Sequence, residues 1–437
     1  MIKKAFFRAN IPFTVDKSIV FDSKFSDCAL NKNWRKSELN GDFLLKHINT
    51  SFAQNVICYS QKCQPINFSI PMSDPYDQSI VRNYCFSVSE MHIYCFDTGV
   101  GIFSFHIPYE CDTDEEDIVN TCSILRCSAY HENPSLDGKA VFKDGVETRL
   151  SCLAQNKLDE LFQNQCKLFD LLNDTSLRRI DMFSAVLCDT PNEETDTKSF
   201  DKLCYRLANA YDNRDKNLTT HEQDFYRQHE YTRWSFSKRG CAVVANLTGI
   251  GITDSFLKER WFFSVNSNYF YLYLMVLHQK YAIYNYLNTV ASDASKAFVK
   301  VNQEALIEFN SKYIFSIVSD EHFIQHVYLR MQDVNNIKEV YADLMDELKR
   351  MFDYTQLKNE EYSEIRNSKL NIISVIISVL CSITIIFDSI NLFTTHGYSL
   401  GFDCTKNTFC TGVITIEVIV FILFLTFVFF ITKSKKK

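Results

Sequence analysis

Two long apolar segments near the C-terminal end of the sequence constrain its fold more than any other feature. The first covers residues 370–387, reaching 393 in its longest form, and the second covers residues 413–431. Each is close to the roughly 20 residues that a helix needs to cross about 30 Å of hydrocarbon. The sequence therefore predicts two transmembrane helices joined by an outer loop at residues 394–412.

Basic residues around these two segments predict how the protein is oriented in the membrane. Arg366 and Lys369 precede the first segment, four Lys residues follow the second, and the loop between them holds one Lys and no Arg. Lys and Arg residues concentrate on the cytoplasmic side of membrane helices. We therefore expect a multi-pass protein of the inner (plasma) membrane, with the lipid bilayer as a partner and both termini in the cytoplasm.

A narrow polar stripe follows the first predicted span. Its members project within about 80° of one another when successive residues are placed about 100° apart around a helix. They are Asn371, Ser374, Ser378, Ser382 and Ser389. A stripe of this kind is expected where a helix lines a water-filled pore, but small hydroxyl residues also let helices pack closely in lipid. The sequence leaves both interpretations open.

Two acidic residues in the predicted membrane region are further candidates. Asp388 lies at the outer end of the first span, where a symmetric oligomer would arrange its carboxylates as a ring that attracts cations at the pore mouth. Glu417 lies within the first two turns of the second span, where an ionisable group is costly and often functional. The alternatives are a solvated carboxylate at position 388 and a side chain that reaches the membrane surface at position 417.

The first 251 residues predict a cytosolic mixed α/β domain. Short alternating or apolar stretches such as "FFRANIPFTV" and "MFSAVLC" are typical of strands. Residues 91–107 predict two strands joined by a turn, in which Gly99 and Gly101 can adopt a positive φ. Residues 149–173 are typical of a helix.

Residues 252–396 contain neither Gly nor Pro, which predicts long helices. We expect helices at about 267–290 and 294–318, and a third that begins near residue 320 and continues into the first span as a stalk. Residues 327–351 repeat apolar side chains at gaps of three and four, which predicts one buried face. The expected organisation is α+β, with domains at residues 1–251, 252–369 and 370–437.

This organisation resembles the CorA family of divalent-cation channels. The family signature Gly-Met-Asn, at the outer end of the first span, is replaced here by Ser389, Ile390 and Asn391, so only Asn391 matches. The resemblance implies that Asn391 belongs to a ring that holds a hydrated ion at the pore mouth. It also implies a cyclic homo-oligomer, a pentamer in the family, with the first spans innermost.

The altered signature and the composition rich in Phe, Asn, Ile and Cys are similar to a divergent branch, the CorA-like membrane effectors associated with type III CRISPR systems. That resemblance implies a cytosolic sensor for a nucleotide second messenger, in which AMP is joined to S-adenosylmethionine. Binding would open or disrupt the membrane in antiviral defence. The alternatives are a Mg²⁺-type divalent-cation transporter of the CorA family and a non-conducting, membrane-anchored binding protein.

The segment "YTRWSFSKRG" supplies the candidate residues for such a ligand. Arg233, Lys238 and Arg239 could bind phosphate, and Trp234 or Tyr231 could stack on a base. An amphipathic strand with a solvated basic side explains the same pattern. The sequence leaves the choice between these interpretations open.

Composition argues against several other functions. The formal net charge of −7 is unlike that of a protein that binds nucleic acid directly. The sequence contains no enzyme signature, and we expect a protein without catalytic activity. Thirteen of the 16 Cys residues precede residue 370 and are expected to be reduced in the cytosol. Cys404 and Cys410 in the outer loop form either a disulfide or two thiols.

Overall fold

The computed structural model of the protein describes most of the chain up to His396. The described residues are 2–20, 29, 32–37, 39, 43–73, 81–109, 115–127, 140–142, 147–148, 150–168, 180–188, 197–209, 226–229, 232–238, 240–246, 261–292, 296–396, 418 and 421–422. The outer loop beyond His396, both of its cysteines and nearly all of the second predicted span lie outside these residues.

Within the described residues, twelve strands form one mixed sheet. Its strands are β1 (Ile2–Val15), β2 (Arg35–Ser37), β3 (Val56–Ser73), β4 (Val81–Phe96), β5 (Val100–Tyr109), β6 (Ala140–Phe142), β7 (Glu147–Thr148), β8 (Cys166–Leu168), β9 (Asp181–Cys188), β10 (Tyr226–His229), β11 (Thr232–Ser237) and β12 (Gly240–Asn246). The strand order is β10-β11-β12-β9-β1-β5-β4-β3-β6-β7, with β2 beside β3 and β8 beside β1. The described pairings are antiparallel except for β9 with β12.

Nine α-helices are fully bounded within the described residues. They are α1 (Lys17–Val20), α2 (Lys46–Asn55), α3 (Glu115–Cys127), α4 (Leu150–Phe162), α5 (Thr197–Asn209), α6 (Phe270–Ser292), α7 (Lys296–Tyr313), α8 (His322–Val334) and α9 (Ile337–His396). A π-helical turn, Val265–Tyr269, leads into α6. The predicted mixed α/β fold is confirmed.

The central strand β1 shows why helices cover both faces of the sheet. Its residues Phe7, Ile11 and Phe13 are fully buried and share a core cluster with apolar residues of α3, α4 and α5. Alternate residues of a strand point to opposite faces. Arg8 therefore points to the other face, where its guanidinium lies 4.5 Å from the Phe270 ring of α6.

Helix α6 is buried along its first half, as the sequence predicts. Leu272, Leu274 and Val276 have no exposed surface. The helix is therefore part of the core rather than a membrane span.

Two local predictions in the α/β region are wrong. The helix predicted for residues 149–173 ends at Phe162, because Gln163 and Asn164 adopt φ values of 52° and 64° and turn the chain into β8. Gly99 has the expected positive φ of 79°, but Gly101 lies within β5. A Cβ at Gly101 would lie 2.2 Å from the Phe13 ring, so this glycine is required by packing.

The predicted single stalk helix from residue 320 is also wrong. Helix α8 ends at Val334, and α9 begins at Ile337. The break follows from Asn336, whose φ of 53° is incompatible with a right-handed helix. Asn tolerates this left-handed conformation better than most residues, so the chain breaks here without Gly or Pro.

The chain divides into two compact units, Met1–Lys349 and Arg350–Lys437, and α9 runs from the first into the second without interruption. Within the described residues, one helix is long and apolar enough to cross a membrane. No residue in its most apolar stretch is buried in the described structure. The second span and the three-domain division stay predictions.

Candidate functional site

An open cleft of about 440 Å³ lies where four segments of the first unit meet. These segments are the end of β1, the β4–β5 turn, the α4–β8 turn together with β8, and the second half of α6. The lining residues are Thr14, Val15, Asp16, Thr98, Gly99, Asn164, Gln165, Lys167 and Asn285. The volume lies within the range of about 300–1,000 Å³ that is typical of small-molecule sites.

The backbone on one side of the cleft is held by the Gly99 turn. The Gly99 amide donates to the Phe96 carbonyl at 3.1 Å, and the Gly99 carbonyl accepts from the Val15 amide at 2.9 Å. A Cβ on Gly99 would lie 3.0 Å from the Val15 carbonyl oxygen. Gly99 is therefore needed both for its positive φ and for this close approach of two backbones.

Several polar side chains around the cleft have unused hydrogen-bonding capacity. Lys167 is exposed, and its ammonium contacts no acceptor in the described part of the chain. The side-chain amides of Asn164, Gln165 and Asn285 likewise make no hydrogen bond there. Asp16 instead accepts from the Ser18 amide at 2.9 Å and from the Ser18 hydroxyl at 2.7 Å. The Asp16 carboxylate is therefore directed toward the start of α1.

Thr98 connects the cleft to helix α6. Its hydroxyl lies 2.9 Å from Nε2 of His278, and the tautomer of the ring decides which group donates. His278 is fully buried, and its ring stacks on Phe96 with 3.8 Å between centroids. Burial holds the pKa of His278 well below its usual range, so the imidazole is neutral.

A buried glutamine pair extends this connection to α8. Gln279 donates through Nε2 to the Tyr313 carbonyl at 2.5 Å and to the Tyr328 hydroxyl at 2.8 Å. Gln332 donates to the Gln279 side-chain oxygen at 2.9 Å. Helices α6, α7 and α8 are therefore joined by polar contacts inside an apolar core, where they are worth more than at the surface.

Asp97, beside Thr98 in the same turn, fixes α7. Its carboxylate contacts Lys312 Nζ at 2.7 Å and accepts a short hydrogen bond from the Tyr313 hydroxyl. Burial raises the pKa of Tyr313 well above its usual range. The phenol therefore stays protonated and remains a donor.

A second buried polar group lies where β9 meets α6. Lys280 Nζ is 3.1 Å from an Asp181 carboxylate oxygen and also donates to the Lys238 carbonyl at 3.2 Å. The Tyr281 hydroxyl donates to the other Asp181 oxygen. Less than a tenth of either charged side chain is exposed. The group ties the sheet to α6.

A third polar group crosses the strands β1, β5 and β4. Arg8 pairs with His106, and His106 pairs with Glu90 in the strand register. Arg8 Nε donates to the Asn266 side chain at 2.8 Å, in the π-helical turn. Burial lowers the pKa of His92 to about 4 and that of His106 to about 3, and the Arg8 charge adds to both effects.

The structure places Trp234 in the core. Trp234 has no exposed surface, and its ring packs against Phe236, Tyr269 and Phe323. A base could stack on this indole only after those rings moved. This geometry matches the alternative strand interpretation at this position.

Of the basic residues near Trp234, Lys238 lies within the described residues. Lys238 is exposed in the turn after β11. Tyr231, Arg239 and the side chain of Arg233 lie outside the described residues.

The polar stripe lies on α9 within its apolar part. Asn371, Ser374 and Ser378 are exposed, and Ser382 and Ser389 are partly exposed. The Ser378 hydroxyl donates to the Ser374 carbonyl at 2.9 Å, and the Ser382 hydroxyl donates to the Ser378 carbonyl at 2.8 Å. Both hydroxyl protons are thus used in hydrogen bonds within the helix. The lone pairs of the two hydroxyl oxygens can still accept hydrogen bonds from groups outside the helix.

The predicted pore-mouth and intramembrane residues are covered in part. Asp388 is exposed near the end of α9. The side chain of Asn391 and the whole of Glu417 lie outside the described residues. Among the described residues there is no group of three or more His, Cys, Asp or Glu side chains that could hold a metal ion.

No family model, curated protein or solved structure matches this chain.

Proposed function

We propose that this chain is a ligand-gated, CorA-like membrane effector. In this proposal the cytosolic domain senses a nucleotide second messenger, as the resemblance to CRISPR-associated effectors suggests, and the membrane helices open a pore or disrupt the bilayer. The protein is not an enzyme. The observation that carries the proposal is the continuity of α9, which joins a packed domain to an exposed apolar segment.

The two ends of α9 have different surroundings. Near its start, Ile337, Leu344 and Leu348 are buried within the first unit. Farther along, Ile372 and Ile376 are more than half exposed. Burying such a side chain in hydrocarbon contributes about 1.5–3 kcal/mol. A contiguous exposed apolar surface of this kind favours a membrane location.

A pore needs several copies of the chain, because one stripe on one helix cannot enclose water. We propose a cyclic homo-oligomer with the first spans innermost and the second spans outside. The stripe would then present hydroxyl oxygens to the pore, with Asp388 and Asn391 at its mouth. Glu417 would lie on the second span, at a contact with a neighbouring subunit.

Gating requires that the ligand bind one arrangement of the helices more tightly than another. The polar contacts from Thr98 through α6 to α8 give a physical route from the cleft to the helix that precedes α9. A ligand that altered the Thr98 contact would therefore act on helices packed in the same core. Ligand binding on the cytoplasmic side is consistent with the proposed orientation, in which both termini are cytoplasmic.

The experiment is ion flux from liposomes that contain the purified protein, with and without AMP joined to S-adenosylmethionine. Replacing Ser378 and Ser382 with Leu should make the pore wall apolar, favour dewetting and abolish most ligand-dependent flux. The matched control replaces Ile376 and Ile383, on the other side of the helix, with Leu. Ligand binding should be unchanged in both variants.

Full flux in the double Leu variant would show that the two serines are packing residues. Flux that depends on Mg²⁺ and not on the nucleotide would instead support the divalent-cation transporter. Thermal stabilisation of the purified protein by either ligand gives the same discrimination without a membrane.

A further inference from the structure

The side chains around the cleft have a consistent chemistry. Lys167 supplies a positive charge, and Asn164, Gln165 and Asn285 supply amides that both donate and accept hydrogen bonds. Thr14 adds a hydroxyl. None of the nine lining residues is aromatic, and Val15 is the one aliphatic side chain among them. The cleft therefore suits a ligand that is polar over most of its surface.

We infer that the cleft binds a hydroxyl-rich organic phosphate, either the ribose phosphate of a nucleotide or a free sugar phosphate. A lysine ammonium is a common phosphate ligand and acts as a point charge. Amide side chains pair with sugar hydroxyls in both directions, because each amide carries donors and an acceptor. The two hydrogen bonds from Ser18 to Asp16 Oδ1 direct this carboxylate oxygen toward the start of α1.

The turn before β8 supports this assignment. Gln163 and Asn164 are consecutive non-glycine residues with positive φ, an arrangement that costs free energy and recurs at ligand sites. The turn supplies Asn164 and Gln165 to the cleft, and the following strand β8 supplies Lys167. Thr98 and Asn285 are supplied by the β4–β5 turn and by α6.

The identification of this cleft as the sensing site rests on the function proposed above, whereas binding itself does not. Thr98 both lines the cleft and contacts His278. A phosphate or hydroxyl that engaged the Thr98 side chain would compete with that contact. A bound ligand would thereby remove a hydrogen bond to His278 of α6 without any movement of the strands.

Binding is tested by calorimetric titration of the full-length protein in detergent with AMP, ribose 5-phosphate, adenosine and inorganic phosphate. We expect at least one of the first two probes to bind, and adenosine and inorganic phosphate to bind at least tenfold more weakly. Lys167→Gln should weaken binding at least tenfold. Lys46→Gln, at an exposed lysine on α2 outside the cleft, is the control and should bind normally.

The two sources of the ligand separate in the same titration. Tighter binding of AMP identifies a nucleotide, and tighter binding of ribose 5-phosphate identifies a free sugar phosphate. Failure of both probes to bind, equal binding of inorganic phosphate, or unchanged binding in Lys167→Gln would overturn the inference. Asn285→Ala gives a second test, because it removes an amide supplied by a different element, α6, and should also weaken binding.

Flux measurements keep the two proposals distinguishable. Binding that depends on Lys167 but produces no flux would support the ligand site and contradict the proposed gating function. Nucleotide-dependent flux that is unaffected by Lys167→Gln would retain the function and place its ligand elsewhere.

Discussion

At the scale of single residues, the buried ion pair between Lys280 and Asp181 makes the clearest prediction. Replacing Lys280 with Met would leave the Asp181 carboxylate in the core without its counter-charge. Such a change typically lowers the free energy of unfolding by about 3–5 kcal/mol. Chemical denaturation of the full-length protein, followed by tryptophan fluorescence, measures the loss.

Two variants control this experiment. Lys157→Met removes a lysine that pairs with Glu160 at the surface, and such exposed pairs contribute less than about 1 kcal/mol. The double change of Lys280→Met with Asp181→Asn should recover part of the loss, because no buried charge remains. A single Lys280→Met variant as stable as the native protein would show that the pair is hydrated.

The histidines beside Arg8 predict how stability depends on pH. His92 and His106 have pKa values of about 4 and about 3 in the folded protein, against about 6.5 in an unfolded chain. Between about pH 6.5 and pH 4 the unfolded chain therefore binds more protons, and stability falls as the pH decreases. Glu90 adds the same trend at lower pH, because its interaction with His92 lowers its pKa to about 2.

His106→Asn tests this dependence because Asn does not titrate in the same range. The variant should lose less stability than the native protein when the pH is lowered from about 7 to about 5. Denaturation curves at several pH values give the two slopes. Equal slopes would mean that His106 is already protonated in the folded protein.

The residues of the cleft could not be identified from sequence patterns, because they come from four segments that only the fold brings together. The sequence did indicate the buried polar contacts of α6, the helix that contributes Asn285 to the cleft. His278, Gln279 and Lys280 are three consecutive polar residues that follow an apolar run in α6. Polar residues at such buried positions need partners, and here all three make cross-element contacts. The sequence around Trp234 gave no such indication. Its alternation of apolar and polar residues fits a strand whether Trp234 faces the core or the solvent.

At the scale of elements, the sequence predicted those whose apolar pattern matches their burial. Strands β1 and β9 and helix α6 fall in this group. Sequence analysis failed where the backbone conformation of a single residue ends a helix. Gln163 and Asn336 end or interrupt helices through a positive φ, and neither residue type is a strong helix breaker. Absence of Gly and Pro therefore predicted helices correctly but not their boundaries.

The break at Asn336 can be tested directly. Asn336→Ala should destabilise the protein by about 1–2 kcal/mol, because Ala pays the full cost of the left-handed conformation. Asn336→Gly should retain native stability, since Gly adopts positive φ without that cost. Thermal unfolding of both variants provides the comparison. A more stable Ala variant would indicate that α8 and α9 merge into one continuous helix in solution.

At the scale of the whole molecule, the proposed pore requires several chains around one axis. The protein in mild detergent should therefore have a mass that is a multiple of 50.9 kDa, five copies if it follows the CorA resemblance. Mass photometry or light scattering with detergent correction measures it. A monomer would exclude a pore built from the first span.

The exposed Cys381 of α9 makes the arrangement of the spans testable with the native sequence. At about 100° per residue Cys381 lies about 20° beyond Ser374, at the edge of the stripe.

If the first spans are innermost, the Cys381 thiols of neighbouring subunits approach one another around the pore axis. Mild oxidation in liposomes should then produce a covalent dimer on non-reducing gels, and Cys381→Ser should abolish it. Cys404, Cys410 and the exposed Cys85 and Cys152 remain in that variant, so a dimer that persists at full yield would come from other cysteines and would count against contact between Cys381 residues at the pore axis. A dimer that requires Cys381, together with flux that the oxidation changes, would place this face of α9 at the conduction path.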